Sequence, residues 1–310
     1  MKVLITGGVG FIGSHIVDEL INKGYDVSII DNLSTGKKEH INKKAKFYNA
    51  DIFDNINYIF EKEKPEILIH AAAQVMLRDS IKDPIFDAKT NILGTINLLE
   101  SCRKNNVKKI IYTSTGGARV GEPEYLPVDE KHPINPSSPY GISKHTAEHY
   151  VWMYNNLYGI DYLIFCFGNV YGPRDDPKTK RVTAVFIDKI LNREVPIIFG
   201  DGNQTRDFIY VIDLAEFIVK SMEKKPKHKL FHLANGSQIS INALFHMLKE
   251  MSGFEGDAKY QDAIKGEIKD ICLDTSLAKK ELGWEPKTSF EKGVRETLSY
   301  FKQLQFSKRK

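Results

Sequence analysis

Three observations predict an α/β protein: a doubly wound parallel sheet followed by a smaller C-terminal α/β substrate-binding domain. Residues 2–13, KVLITGGVGFIG, pass from a short apolar run through evenly spaced glycines into a helical apolar pattern. Strand-length apolar runs then alternate with helical patterns through the first half of the 310-residue chain. Near residue 170 the alternation gives way to helices and short turn signals. Repeated βα alternation predicts parallel strands, with a ligand at their C-terminal ends.

The first strand rests on Val3-Leu4-Ile5, an apolar run too short for a lone helix. Gly7, Gly10 and Gly13 follow, and Ile12, Ile16, Val17, Leu20 and Ile21 recur at helical spacing. Strand, glycine turn and helix open a Rossmann-type βαβ unit that binds a dinucleotide. Glycine lets the backbone turn tightly and approach a pyrophosphate, and the helix N-terminus offers free N–H groups. The second strand, Val27-Ser28-Ile29-Ile30, ends at Asp31, which lies 31 − 7 = 24 residues after Gly7. An acid at that offset accepts hydrogen bonds from the adenosine ribose and repels a 2′-phosphate, which favours NAD over NADP. The plainer reading of Asp31 is a turn residue in DNLSTG.

A third strand over residues 46–50 ends at Asp51-Ile52, at the same sheet edge as Asp31. A fourth, Ile67-Leu68-Ile69-His70, runs into Ala71-Ala72-Ala73. Small residues there permit close approach of a flat cofactor, or simply helix packing. Residues 91–103 read as a helix, and 109–113 as a fifth strand ending at Ser114-Thr115. After the proline-rich stretch 123–139, a helix starts at Ser138-Pro139 and runs towards Tyr158-Gly159. Residues 162–167 form a sixth strand. We place a dinucleotide-binding domain at 1–170, with a return to the sheet near 207–222, and a second domain at 171–310. Gly200-Asp201-Gly202-Asn203 is a hairpin signal, and Trp284-Glu285-Pro286 separates two C-terminal helices, the first ended by Gly283.

Charged residues make up 27% and hydrophobic ones 42%, an ordinary globular balance. The net charge of +4 forms no basic stripe interleaved with aromatics, so no nucleic-acid footprint is expected. Cys102, Cys166 and Cys272 are far apart and form no CxxC, which fits a reducing cytosol and neither a disulfide framework nor a zinc ribbon. A chain that starts on a core strand leaves no room for a signal peptide, and no apolar run reaches spanning length. A cytoplasmic protein without membrane attachment is expected.

Tyr140 and Lys144 are four apart and share a helix face. A phenol is a poor base at neutral pH, with a pKa near 10. A neighbouring ammonium, and a bound oxidised nicotinamide, would stabilise the phenolate and bring it towards the working range. Ser114 and Thr115 offer hydroxyls that could relay a proton or hold a substrate oxygen. YxxxK is uninformative alone but informative with the glycine motif and a hydroxyl at a strand end. His145-Thr146-Ala147-Glu148-His149 spells the H-x-x-E-H of some zinc proteases. It begins one residue after Lys144, inside the cofactor helix, so no metal is expected.

The segments TGGVGFIG, DNLSTG, HAAAQ, NILGT, TSTGGA, YGISK, GNVYGPR, FGDGNQTRDFIYV and LGWEP span nearly the whole chain. In them the sequence resembles extended short-chain dehydrogenase/reductases, and most of all their UDP-glucose 4-epimerase branch. The resemblance implies Thr115, Tyr140 and Lys144 as catalytic trio. It implies Gly7, Gly10, Phe11, Ile12, Gly13, Asp31, Asn32, Asp51, Ile52, Ala71, Ala72, Asn91, Tyr140 and Lys144 around NAD. Ser114, Thr115, Asn169, Arg206 and Glu267 would hold a nucleotide sugar, and a homodimer would form through the helices over 91–103 and 138–158. Related 4,6-dehydratases carry an Asp-Glu pair after the threonine; here Gly116-Gly117 stands there, which favours epimerisation. Val120, Cys166 and Ile264 depart from the branch, where tyrosine, arginine and arginine are common. The alternatives are another nucleotide-sugar oxidoreductase or dehydratase, and a non-catalytic NAD sensor or scaffold.

Overall fold

The computed structural model describes residues 1–264 and 268–308. The chain opens with β1 (Lys2–Thr6), α1 (Phe11–Asn22), β2 (Asp26–Asp31) and β3 (Lys46–Asn49). It continues through α2 (Asn57–Glu63), β4 (Ile67–His70), α3 (Leu77–Lys82), α4 (Pro84–Ala88) and α5 (Gly94–Lys104). Then come β5 (Lys109–Thr115), α6 (Gly117–Val120), α7 (Pro139–Tyr158) and β6 (Asp161–Phe167). The later half holds β7 (Asn169–Tyr171), α8 (Val182–Leu191), β8 (Ile197–Phe199), β9 (Thr205–Arg206), β10 (Phe208–Tyr210) and α9 (Val211–Ser221). It ends with β11 (Leu230–Leu233), β12 (Ile239–Ser240), α10 (Ile241–Ser252), β13 (Lys259–Gln261), α11 (Ser276–Leu282) and α12 (Phe290–Lys308).

Seven parallel strands form the main sheet in the order β11-β6-β5-β4-β1-β2-β3. Alternation along β1 decides which helices cover which face. Val3 and Ile5 pack with Ile16 and Leu20 of α1 and with Leu214 and Ile218 of α9. Leu4 packs on the other side with Leu98 and Leu99 of α5 and Ala147 and Val151 of α7. Burying each such aliphatic side chain stabilises the fold by about 1.5–3 kcal/mol. A third apolar cluster joins α8, α10 and α12 through Phe186, Leu244, Phe245, Val294 and Leu298.

Three local expectations are corrected. The helix expected from residue 91 is α-helical only from Gly94, because Lys89–Leu93 form a π-helical turn. The strand that rejoins the main sheet is β11, beside β6; residues 208–210 pair instead with β7. The glycine turn at 200–203 forms, with φ +77° at both Gly200 and Gly202, but it closes no hairpin. Its flanking strands pair elsewhere, β8 with β13 and β9 with β12. Asn242 of α10 donates to the Asp201 carbonyl at 3.0 Å, so the turn is tied to a helix rather than to its own ladder.

Two buried histidines link these layers. His15 Nε2 on α1 donates to the Pro173 carbonyl at 2.8 Å, and His232 on β11 meets the Val128 carbonyl through Nδ1 at 3.1 Å. Burial pushes both down to about 4. In the unfolded chain they take up protons near 6.5, so between about 6.5 and 4 the unfolded state binds more protons and stability must fall as pH falls. Urea unfolding midpoints should therefore drop steadily across that window, and His15→Gln should flatten the dependence. A midpoint independent of pH there would refute the neutral, buried assignment.

Candidate active site

Strand order reverses between β4 and β1, and a cleft opens at their C-terminal ends. That is where open α/β sheets place their ligands. Gly7, Gly10, Phe11, Ile12 and Gly13 line it from the first turn. Asp31, Asn32, Asp51 and Ile52 line it from the second and third strands, and Ala71 and Ala72 from the fourth.

The glycines have separable roles. Gly7 has φ +69°, and a Cβ on it would lie 2.7 Å from the Ala72 nitrogen. A Cβ on Gly13 would lie 2.0 Å from the Gly7 carbonyl oxygen, so only glycine lets α1 start against that turn. A Cβ on Gly10 would meet nothing nearer than the Gly7 oxygen at 3.2 Å. Its missing side chain is room left for a ligand.

Asp31 is buried, accepting from the Val9 N–H at 3.1 Å and the Leu33 N–H at 2.8 Å. Burial raises its pKa, while those two donors pull it back. Asn32 donates to Asp51 at 2.7 Å, fixing both side chains at the cleft edge. Two buried polar atoms on the cleft wall, Thr90 Oγ1 and Arg174 Nη1, have no hydrogen-bond partner among the described residues. A glycine cradle, an acid at the end of β2 and unspent polar atoms on the wall fit a dinucleotide. Sequence reasoning missed Thr90, Lys37, Arg174 and Arg181 as cleft residues. Arg174 lies in the quoted GNVYGPR segment and could have been found there. Arg181, held by Asp175 at 2.8 Å and stacked 4.9 Å from the Phe11 ring, left no pattern.

Ser138 caps α7, its hydroxyl accepting from the Gly141 N–H at 3.2 Å, with Pro139 in the first turn. This sets Tyr140 at the helix start, near enough to Thr115 at the end of β5 for that hydroxyl to favour the phenolate. Burial pushes Tyr140 up to about 12, against the pull of the Arg181 guanidinium and the Thr115 hydroxyl. Burial pushes Lys144 down to about 7, opposed chiefly by Glu148. Although the two residues share a helix face, Lys144 Nζ lies 4.2 Å from the centre of the Tyr112 ring, and Arg181 is the foremost cation acting on Tyr140.

Asn91 does not line the cleft. Its amide is spent on the protein, donating to the Gln74 carbonyl at 3.1 Å, Asp87 at 3.2 Å and Ser143 at 3.0 Å, and accepting from the Gln74 N–H at 2.9 Å. It braces α7 against the strand-end loop. Ser114 is also turned inward, donating to Glu148 at 2.5 Å. Asn169 is exposed at the start of β7, opposite Phe208 in the ladder. Arg206, two residues before Phe208, donates to the Thr205 and Lys269 carbonyls at 2.8 and 3.0 Å. Glu267 lies outside the described residues. In H-x-x-E-H the glutamate points inward to Arg119 at 3.2 Å, while His145 and His149 face each other at 3.2 Å.

Thr115, Tyr140 and Lys144 likewise do not line the cleft themselves, but Arg181 on its wall acts on Tyr140. A parallel sheet with a cleft at its switch point, and a tyrosine and lysine one turn apart on α7 next to the end of β5, defines a Rossmann-fold enzyme of the short-chain dehydrogenase/reductase kind. The chain belongs to the NAD dependent epimerase/dehydratase family, which it matches over residues 3–234. It is 49% identical over 302 residues to a Methanocaldococcus jannaschii protein provisionally named UDP-glucose 4-epimerase, covering 97% of this chain and 98% of that one. Its fold is similar to that of a UDP-glucose 4-epimerase from Thermotoga maritima solved with UDP-glucose. That pair has TM-score 0.96 and 42% identity, covering 98% of this chain and 100% of that one. A Thermus thermophilus UDP-glucose 4-epimerase solved with NAD gives TM-score 0.92 at 35% identity, covering 97% and 99%.

The glycine geometry makes a paired prediction. Gly13→Ala should lower the thermal midpoint by several degrees, because its Cβ meets backbone. Gly10→Val should leave the midpoint of the dinucleotide-free protein within about a degree or two but weaken NAD binding at least tenfold by titration calorimetry. Equal effects of both on stability would contradict the separation of roles.

Proposed function

We propose that this chain catalyses reversible C4 epimerisation of a UDP-sugar, UDP-glucose to UDP-galactose or their N-acetyl forms, with NAD held in the cleft throughout. The observation that carries this reading is Tyr140 next to Thr115, one helical turn from a buried Lys144, with Arg181 linking Tyr140 to the wall of the glycine-built cleft.

A bound dinucleotide would supply the acceptor for the C4 hydride and later its donor. Tyr140, through or beside Thr115, takes the C4 hydroxyl proton and returns it to the keto oxygen, while the hydride would come back to the other face of C4. Burial keeps the phenol protonated at rest, which suits it to protonate the keto oxygen. Arg181 and Thr115 already favour the phenolate, and the positive charge of an oxidised nicotinamide beside them would favour it further. Lys144 lies in the dry layer beneath, where its charge depends on its neighbours. The keto sugar turns over between the two transfers, so there is no net redox change.

Gly116 supports epimerisation over dehydration. With Gly117 it leaves no acid at this strand end to protonate a departing hydroxyl, and a Cβ on Gly116 would lie 2.4 Å from Leu273 Cδ1. We assign residues 1–170, with the sheet-packed helix α9 and the edge strand β11, to the dinucleotide lobe and the rest mainly to the nucleotide-sugar lobe. Asn169, Arg206 and Glu267 are proposed to hold the sugar nucleotide, Arg206 on the diphosphate as a charge-assisted pair. Exposed Leu93, Trp152 and Leu157 around α5 and α7 support a homodimer through those helices. Three free buried thiols fit a cytoplasmic setting.

The test is incubation of the protein as purified with UDP-glucose and UDP-N-acetylglucosamine, without added cofactor. The C4 epimer should form, and reduced nicotinamide should not accumulate beyond one equivalent of enzyme. Neither epimer forming on protein with confirmed bound NAD would overturn the substrate assignment, and continuing accumulation would favour an oxidoreductase. Tyr140→Phe should lower kcat by about 10²–10⁴ without loss of NAD. Biological output unchanged by that variant would favour a sensor.

A further inference from the structure

The H-x-x-E-H run finds its use in a buried charge cluster behind the catalytic helix. Glu148 lies one turn beyond Lys144 and is only 4% exposed. One carboxylate oxygen accepts from the Ser114 hydroxyl at 2.5 Å, with the Cys166 thiol 3.9 Å away. The other meets Arg119 Nη2 at 3.2 Å and His145 Nδ1 at 2.9 Å. Arg119 is itself 3% exposed. His145 reaches the surface through His149, whose ring nitrogen is 3.2 Å from its own. The carboxylate therefore touches the strand end that carries Thr115, the short helix α6 and the helix that carries Tyr140 and Lys144.

We infer that Glu148 is a positioning residue for the reaction: it pins Ser114 beside Thr115 and supplies the counter-charge that keeps Lys144 ionised. The inference rests on the epimerase reading. The groups facing Lys144 are Glu148 on its own helix, Asp87 on α4, His70 on β4, the Tyr112 ring on β5 and Cys166 on β6. His70 is neutral, since burial holds it well below its ordinary range. The Cys166 thiol is protonated, since burial pushes it up. That leaves Glu148 and Asp87 as the anions. Burial works against the charge on Glu148, but His145, Arg119 and Ser114 hold its carboxyl below the usual range. His232, on β11, faces the same cluster as a neutral ring. Cys166 stands where arginine is common in the resembling branch, and Arg119 supplies a buried cation to this carboxylate from α6 instead.

Removing the negative charge makes it easier for Lys144 to lose its proton. Glu148→Gln should therefore move the alkaline limb of the kcat profile to lower pH by about one unit. It should lower kcat about tenfold near pH 8 and leave KM within about twofold. Arg119→Gln removes the competing cation and should move the limb to higher pH, so the two variants shift in opposite directions. Glu148→Asp should restore the wild-type limb in part. A loss of kcat with the limb unmoved in both variants would reduce Glu148 to a packing role and overturn the inference. Should Glu148→Gln fail to fold, the direction of the Arg119→Gln shift decides. The pH dependence of NAD binding, read by titration without any sugar, follows the same charge. It should shift in these variants even if wild-type protein epimerises nothing, which separates failure of this inference from failure of the epimerase reading.

Discussion

The constraint on which the cleft depends is a backbone contact. The turn after β1 leaves no space for a Cβ at Gly13, 2.0 Å from the Gly7 oxygen, or at Gly7, 2.7 Å from the Ala72 nitrogen. Because those contacts involve main chain, no rotamer change relieves a side chain placed there. They bring the first strand, its helix and the end of the fourth strand to one point. The cleft, the N–H groups at the start of α1 and the position of Asp31 across from them all follow from that approach.

Beneath the cleft, polar groups are buried in an ordered layer rather than scattered. Asn91 and Asp87 bind Gln74 and Ser143, joining the loop after β4 to α7. Thr6 and Thr95 hold the two nitrogens of His70 at 2.8 and 2.9 Å. Satisfied buried networks resist rearrangement, because moving one member strands the others. The layer thereby fixes the pitch of α7 against β5, which sets Tyr140 against Thr115. A π-helical turn at Lys89–Leu93 belongs to the same device, placing Asn91 inward and Thr90 on the cleft wall.

The cofactor half of the site was legible because its determinants are local. A strand, a glycine turn and a helix are encoded within a dozen residues, and an acid at the end of the next strand is found by counting. YxxxK was legible for the same reason, through helix periodicity. What the tyrosine and lysine do to one another was not. Sharing a helix face says which way two side chains leave the backbone, not which ring or cation each then meets. Lys144 found Tyr112 on β5, and Tyr140 found Arg181 from a distant loop. Asn91 shows the same limit: family resemblance pointed to the cofactor, yet its amide is committed to protein groups.

Residue order was enough to establish the alternating strands, the glycine cradle and the acid at the end of β2, since each depends on neighbours a few positions apart. Folding had to decide the electrostatics. Burial, the strongest influence on Tyr140, Lys144 and Asp31, arises only once segments distant in the chain have packed together. It likewise decided which strand completed the sheet and which turn failed to make a hairpin, because partners so far apart in the chain meet only once the core has formed.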